Sequence, residues 1–414
     1  MVHAIRITRH GTDVFLDKPK SGLFRDLDAL AFSGWAVPSV TEVQIEFPTH
    51  RVAVSKTLMR PDVTAHLGRI GVETSDDCHG FAVLTEAQPF QVYALFQDGT
   101  RKLQLAGEVE APDNVMLGAN GWLFLSSSNG ILEQAAGTFN PAPGLKVWDD
   151  YLERFDMLAQ EMQIQWRFCI APSKELIVPE LAPFPVSDNN FLAVFLRRSR
   201  FAEFMSCPID QFKRYSNISY WPSDSHWSDV GAAIAAKDVL HRFGRTNTVV
   251  PNIGVEFSIG IGDLSDKLLG QHDAAFPGIS LQNENVNLNF DNYAVLGGNT
   301  GRFMIWESDD AGAEGTLFIS GGSSFHWMSK FLTPSFKRTV FLHGTGRIDV
   351  SLLKEVAPTH VLLQNNSRFM SVHPDEGNFS NLSEMLNPAQ MNANWRSGYS
   401  YYDRIAADVL GHSS

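Results

Sequence analysis

The sequence predicts two parts of different class: a small antiparallel β-sandwich over residues 1–108, then an α/β domain over residues 109–414 in which helices flank a parallel sheet. Three observations carry this reading. Short β-branched and aromatic runs separated by turn residues fill the first part. Helical periodicity sets in only after Pro112. Beyond that point, short apolar runs alternate with helical stretches, which is the rhythm of βαβ units.

In the first part, residues 41–47, 51–55, 80–84 and 90–96 read as strands, several of them alternating in polarity as half-buried strands do. Asp98-Gly99 separates 91–96 from 102–105, where a tight hairpin turn needs residues tolerant of positive φ. In the second part, Val147, Trp148, Tyr151, Leu152, Phe155, Leu158 and Met162 fall on one face of a helix over 144–163. The apolar run 166–171 is a strand ending at Pro172, and further helices are expected over 194–205 and 228–243. Ser228 is placed as the N-cap of the latter and Gly244 as the residue after its C-terminus. Residues 316–320, 339–342 and 360–364 are buried-strand candidates, separated by helical stretches at 327–332 and 350–356.

At 414 residues, with 44% hydrophobic and 19% charged, the chain buries a sizeable core and has room for more than one domain. Its formal charge of -13 repels a phosphate backbone, which argues against a nucleic-acid partner. The N-terminus lacks the apolar core of a signal peptide, and no stretch offers about 18 consecutive apolar residues for a transmembrane segment. Cys78, Cys169 and Cys207 are odd in number and widely spaced, a pattern that suits neither a disulfide framework nor a zinc site. A cytoplasmic location fits the sequence as written, and a periplasmic or extracellular one fits only if a signal sequence has been removed.

Serine acyl chemistry needs a hydroxyl nucleophile, an imidazole base, a carboxylate to fix the imidazole tautomer, and N–H donors for the oxyanion. Two segments supply these parts. In Asp224-Ser225-His226-Trp227-Ser228, carboxylate and imidazole are two residues apart on the approach to a capped helix, so that an extended backbone points both to one side. In Ser320-Gly321-Gly322-Ser323-Ser324-Phe325, a buried strand breaks into a glycine turn leading to a helix, which exposes a serine beside helix N-terminal amides. Alone, the first reads more readily as a helix cap and the second as an ordinary turn. Their occurrence together in one α/β domain favours chemistry.

Four blocks, in order, resemble the SGNH-like acyltransferase family of the alginate O-acetyltransferase (AlgX and AlgJ) type over about residues 113–370. They are Gly118-Ala119-Asn120-Gly121-Trp122-Leu123-Phe124-Leu125, the run from Ala171-Pro172-Ser173-Lys174 to Glu180, Asp224-Ser225-His226-Trp227-Ser228, and Gly322-Ser323-Ser324-Phe325. The resemblance implies an SGNH-hydrolase-like fold and a triad in which Asp224 orients His226 and His226 deprotonates Ser324. Ser324 is chosen because it aligns with the Ser of the family's Gly-Asp-Ser-Phe form, which places Ser323 where that Asp stands. Gly322, Ser323, Lys174, Asn365 and Arg368 are the expected oxyanion or substrate-binding residues, with Arg368 in a final block where Ser367 replaces the family's common Glu. Lys174 either steadies an anionic sugar or fixes a loop, or else makes a surface salt bridge, and Asn365 and Asn366 either add an oxyanion donor or serve turn chemistry. Trp221, Trp227 and Trp327 either stack on a sugar ring or belong to the core.

In the first part, Ser33-Gly34-Trp35-Ala36, Arg60-Pro61-Asp62-Val63 and His79-Gly80-Phe81 resemble the β-sandwich modules attached to bacterial glycosyltransferases, a carbohydrate-binding or structural role. The expected activity is O-acetyl transfer to a bacterial glycan through an acetyl-serine. It needs no metal or bound cofactor, only an acetyl donor such as acetyl-CoA or a partner protein that passes on acetyl or builds the glycan. An acetyl esterase with the same triad and a non-catalytic glycan-binding protein are the rival expectations.

Overall fold

The computed structural model describes residues 2–25, 29–72, 74, 78–110, 114–245, 253–265, 273–281, 285–293, 299 and 301–371. The chain divides into two compact units. One comprises residues 1–117 with 261–274, and the other 118–260 with 275–414. The expected boundary at 108/109 falls short because the strand Arg101–Glu110 runs on and a further strand, Val115–Leu117, follows it.

Among the described residues, the first unit contains a six-stranded and a four-stranded sheet, both antiparallel. Alternate residues of each sheet turn inward to one core. Ile5, Val43, Ile45, Val92 and Leu105 come from the larger sheet, and Val14, Leu30, Phe32 and Phe81 from the smaller. Phe32 meets Phe90 edge to face across this core at 4.6 Å. The hairpin after Phe90–Phe96 turns where the sequence places it. Phe96 N–H donates to the Thr100 carbonyl, Gly99 takes φ +79°, and Asp98 Oδ1 accepts from Thr100 N–H. Within Ala29–Ala36, Gly34 is required sterically, since a Cβ there would collide with the Phe15 carbonyl oxygen of the adjacent strand Val14–Lys18.

The second unit is built on a mixed sheet of seven strands among the described residues, numbered here β1 (Gln165–Ala171), β2 (Met205–Ser206), β3 (Val286–Asp291), β4 (Phe303–Ser308), β5 (Thr316–Gly321), β6 (Arg338–His343) and β7 (His360–Asn366). Their spatial order is β2-β1-β7-β5-β6-β4-β3; the first five are parallel, β4 pairs antiparallel with β6, and β3 pairs antiparallel with β4. The sequence signals cover β1, β5, β6 and β7, whereas β3 and β4 are additions that turn the expected parallel sheet into a mixed one.

Successive strand residues serve opposite faces. Trp166, Phe168, Ile170, Phe318, Val340, Val361 and Leu363 join Trp148, Leu152 and Phe155 of helix α1 (Ala142–Glu161) in one core. Cys169, Ala171, Leu317, Ile319, Phe341 and Leu362 join Ala232, Ala235 and Val239 of helix α4 (Asp229–Arg242) in the other. Between these helices in sequence lie α2 (Lys174–Ile177) and α3 (Phe191–Arg198), and after them α5 (Phe325–Leu332) and α6 (Val350–Val356). The helix expected over 194–205 instead starts at Phe191, because Asn190 Oδ1 caps Ala193 N–H. It stops at Arg198, because Asp149 of α1 takes Ser199 Oγ at 2.6 Å and Arg200 N–H at 3.2 Å, and those bonds are incompatible with a further helical turn. No helix among the described residues is long and apolar enough to cross a membrane.

Phe155 is fully buried and meets Trp166 of β1 at 5.4 Å, while Met157 on the same helix is 67% exposed. Phe155→Ala is therefore expected to cost about 3–5 kcal/mol, and Met157→Ala less than about 0.5 kcal/mol, as read from denaturant melts of the two variants.

Candidate active site

Four of the parallel strands end at one edge of the sheet. Ala171 pairs with Asn366 across β1 and β7, and Gly321 pairs with His343 across β5 and β6. The segments that follow these strands carry polar side chains, and a further loop brings Asp224 and His226 to the same place.

That loop is pinned at its neck. Tyr220 and Trp227 form an antiparallel bridge, Ser228 N–H donates to the Ser219 carbonyl at 2.9 Å, and Leu123 N–H reaches the Pro222 carbonyl at 2.9 Å. Ser228 then caps α4 as the sequence indicates, its Oγ accepting from Gly231 N–H at 3.1 Å. Within the loop, Asp224 Oδ1 accepts from His226 backbone N–H at 2.8 Å and lies 2.6 Å from His226 Nδ1. A carboxylate only accepts, so Nδ1 carries the proton and Nε2 presents its lone pair. Nε2 lies 2.6 Å from Ser323 Oγ. Acid, base and hydroxyl form one continuous chain.

The hydroxyl is that of Ser323, one residue before the expected Ser324. Ser324 stands at the start of α5 with helical dihedrals, φ -60° and ψ -23°, and is 2% exposed. Its Oγ donates to Asn366 Oδ1 at 2.7 Å, and its carbonyl accepts from Trp227 Nε1 at 3.0 Å. Once the backbone has turned into a helix, adjacent side chains point about 100° apart, so only one of two neighbouring serines faces His226. Alignment to a Gly-x-Ser-Phe pattern cannot detect where the strand stops and the helix begins.

The remaining expected site residues are mostly engaged in building this edge. Gly322 N–H donates to Gln364 Oε1 at 2.7 Å, so that amide is not directed at an oxyanion. Asn365 Oδ1 accepts from Asn366 N–H at 2.9 Å and shapes the end of β7. Arg368 is buried, its guanidinium lying 4.8 Å from the Phe369 ring centre. Lys174, 4% exposed, donates to the carbonyls of Trp221, Pro222 and Asp224, which fits loop fixing and not contact with an anionic sugar. Trp227 is core, stacked on Phe212, whereas Trp221 and Trp327 form a tilted pair 5.9 Å apart. Sequence reasoning passed over Gln364, and Asn366 entered it only as an oxyanion candidate or a turn residue. Their i, i+2 spacing on a strand is the signal that both side chains share a face.

Several titratable groups near this edge are strongly perturbed. Burial, reinforced by Arg302, pushes His326 and His343 down to about 4; at the opposite end of the sheet, where β7 begins, burial also pushes His360 down to about 4. Burial pushes Glu175 up to about 7 against the opposing pull of Arg368 and Lys174.

Two predictions follow from these contacts. Asn366→Ala, which strands the Ser324 hydroxyl in a buried site, is expected to cost about 1–3 kcal/mol in a denaturant melt. Between the ordinary histidine value of 6.5 and about 4 the unfolded chain binds more protons at His326, His343 and His360 than the folded chain, so their contribution to stability is lost as pH falls through that window. Glu175 acts oppositely: the folded state holds its proton up to about 7, and its contribution is lost as pH rises from 4.5 through that value. Melts across this range should show His343→Gln flattening the acid limb and Glu175→Gln flattening the limb approaching neutrality.

No family model matches the chain, and no curated protein matches it in sequence. Among solved structures, the chain is similar to a DHHW family protein from Eubacterium siraeum DSM 15702, at 12% identity over 64% of this chain and 94% of that one, with a TM-score of 0.46. It is likewise similar to PatB1 of Bacillus cereus, at 13% identity over 64% and 99% with a TM-score of 0.45. A third similar structure is the O-acetyltransferase domain of Pseudomonas putida AlgJ, at 16% identity over 69% of this chain and 99% of that one, with a TM-score of 0.41.

Proposed function

We propose that this chain is a serine-dependent O-acyltransferase of SGNH-like type that moves an acetyl group to a glycan hydroxyl, with Ser323 as nucleophile, His226 as base and Asp224 as orienting carboxylate. The observation that carries the chemistry is the unbroken chain Asp224 Oδ1, His226 Nδ1, His226 Nε2, Ser323 Oγ, with 2.6 Å at each of its two hydrogen bonds. The choice of acetyl and of a glycan acceptor is supported by the four sequence blocks that resemble alginate O-acetyltransferases.

In this mechanism Ser323 Oγ attacks the acyl carbonyl of the donor while His226 Nε2 takes its proton. The imidazolium that forms is stabilised through Nδ1–H by Asp224. Phe325 and His326 N–H turn back to the Gly322 and Ser323 carbonyls at 3.1 Å, so the amides of Ser323 and Ser324 are assigned to the developing oxyanion at the start of α5. Collapse breaks the carbonyl bond to the leaving thiol or alcohol, which takes the proton from His226. A sugar hydroxyl then attacks acetyl-Ser323 by the same steps in reverse, with His226 again the base. Acetyl-CoA supplies a thiol leaving group of the right kind, and an acetyl-donating partner protein is the other candidate donor. Water in place of the sugar gives the esterase reading, which the half-buried position of Ser323 accommodates equally.

The test is mass spectrometry of the chain after incubation with acetyl-CoA or an activated acetyl ester, followed by peptide mapping. Acetyl is expected on the 323 hydroxyl. Ser323→Ala should abolish it, and Asp224→Asn should slow it by about 10⁴. Ser324→Ala should keep most of the rate and lose about 1 kcal/mol of stability. Acetylation retained in folded Ser323→Ala would overturn the assignment, and acetylation lost only in Ser324→Ala would return the nucleophile to that residue.

A further inference from the structure

Lys174 lies just beyond β1 and is 4% exposed, and its Nζ finds hydrogen-bond acceptors in a loop distant in sequence. Those acceptors are three carbonyl oxygens of one short loop: Trp221 at 3.1 Å, Pro222 at 3.2 Å and Asp224 at 2.7 Å. An ammonium has three hydrogens to donate, and the loop curls so that each can meet a different carbonyl. The rings of Trp122 and Phe124, centred 5.6 and 5.2 Å from Nζ, present further electron density to the cation. A buried ammonium is costly unless its hydrogen bonds are made, so the loop and the lysine hold each other in place.

The closest of the three acceptors belongs to Asp224, the residue whose carboxylate orients His226. Fixing the Asp224 carbonyl fixes its peptide plane, and with it the direction from which the carboxylate approaches the imidazole. We propose that Lys174 is a positioning residue for the triad, the cation around which the acid-base loop is wound, a role that rests on the serine acyl-transfer reading given above. It touches neither the acyl donor nor the acceptor and acts through Asp224. A displacement of about 1 Å in such a group is enough to lower a rate about 10²-fold.

The experiment uses the full chain with Lys174→Ala, which opens room for a small cation, and Lys174→Met, which fills the space without charge. Acylation by an activated acetyl ester, the melting temperature, and the downfield proton resonance of His226 Nδ1–H are measured for each. The expected result is acylation about 10²-fold slower in folded Lys174→Ala, partly restored by methylammonium chloride but not by sodium chloride at equal ionic strength. Lys174→Met is expected to fold, to shift or lose the His226 resonance, and not to respond to methylammonium. Wild-type acylation rates in either folded variant overturn the proposal, as does a loss on which the two salts act alike while the His226 resonance stays in place. Failure of both variants to fold makes the lysine merely structural and overturns it too. Absence of acylation in the wild-type chain is a different result: it removes the acyl-transfer reading itself, whereas normal wild-type acylation with unaffected Lys174 variants removes only the positioning role.

Discussion

The parallel register of β1, β7 and β5 is the constraint from which the site follows. β1 and β7 pair without a slip from Gln165 with His360 to Ala171 with Asn366, and β5 and β7 pair from Leu317 with His360 to Ser320 with Leu363. Parallel strands have their C-terminal ends together, so this register delivers the Lys174 segment, the Gly322-Ser323 turn and the Asn366 side chain to one edge. A slip of one residue would turn every side chain to the opposite face. Leu362 would then leave the core on the α4 side and Gln364 would lose its reach to Gly322.

Polar groups at this edge are buried in numbers that an apolar core would not tolerate, and their partners explain why they persist. Carbonyls take the Lys174 ammonium, Asn366 takes the Ser324 hydroxyl, and Ser173 and Ser367 join their hydroxyls at 2.8 Å. Each such bond contributes only about 1 kcal/mol net, but leaving one unmade costs more. The network therefore selects one geometry for the Gly322-Ser323 turn more than it adds to stability.

Much of the fold could be read in the sequence because it depends on local periodicity. The apolar stripe of α1, the Ser228 cap, the Asp98-Gly99 turn and the four inner parallel strands all have signals within a few residues. Asp224 and His226 were readable for the same reason, since their relation is an i, i+2 one. The choice between Ser323 and Ser324 was not readable. It depends on the dihedral angles at which β5 gives way to α5 and on an acceptor 42 residues away at Asn366. Loop fixing was one of the readings open for Lys174, but the carbonyls it meets lie 47 to 50 residues distant, and no pattern in the side-chain sequence encodes them.

Trp227 follows His226 directly, and its indole N–H crosses 97 residues of sequence to the carbonyl of Ser324. The ring is buried, stacked on Phe212 at 5.9 Å and 15°. One side chain thus joins the arm that carries His226 to the turn that carries Ser323. Its indole absorbs and emits in a region sensitive to hydrogen bonding, so the two halves of the site share an internal optical gauge. Any separation between them is written into the spectrum of a residue that lies outside the proposed triad.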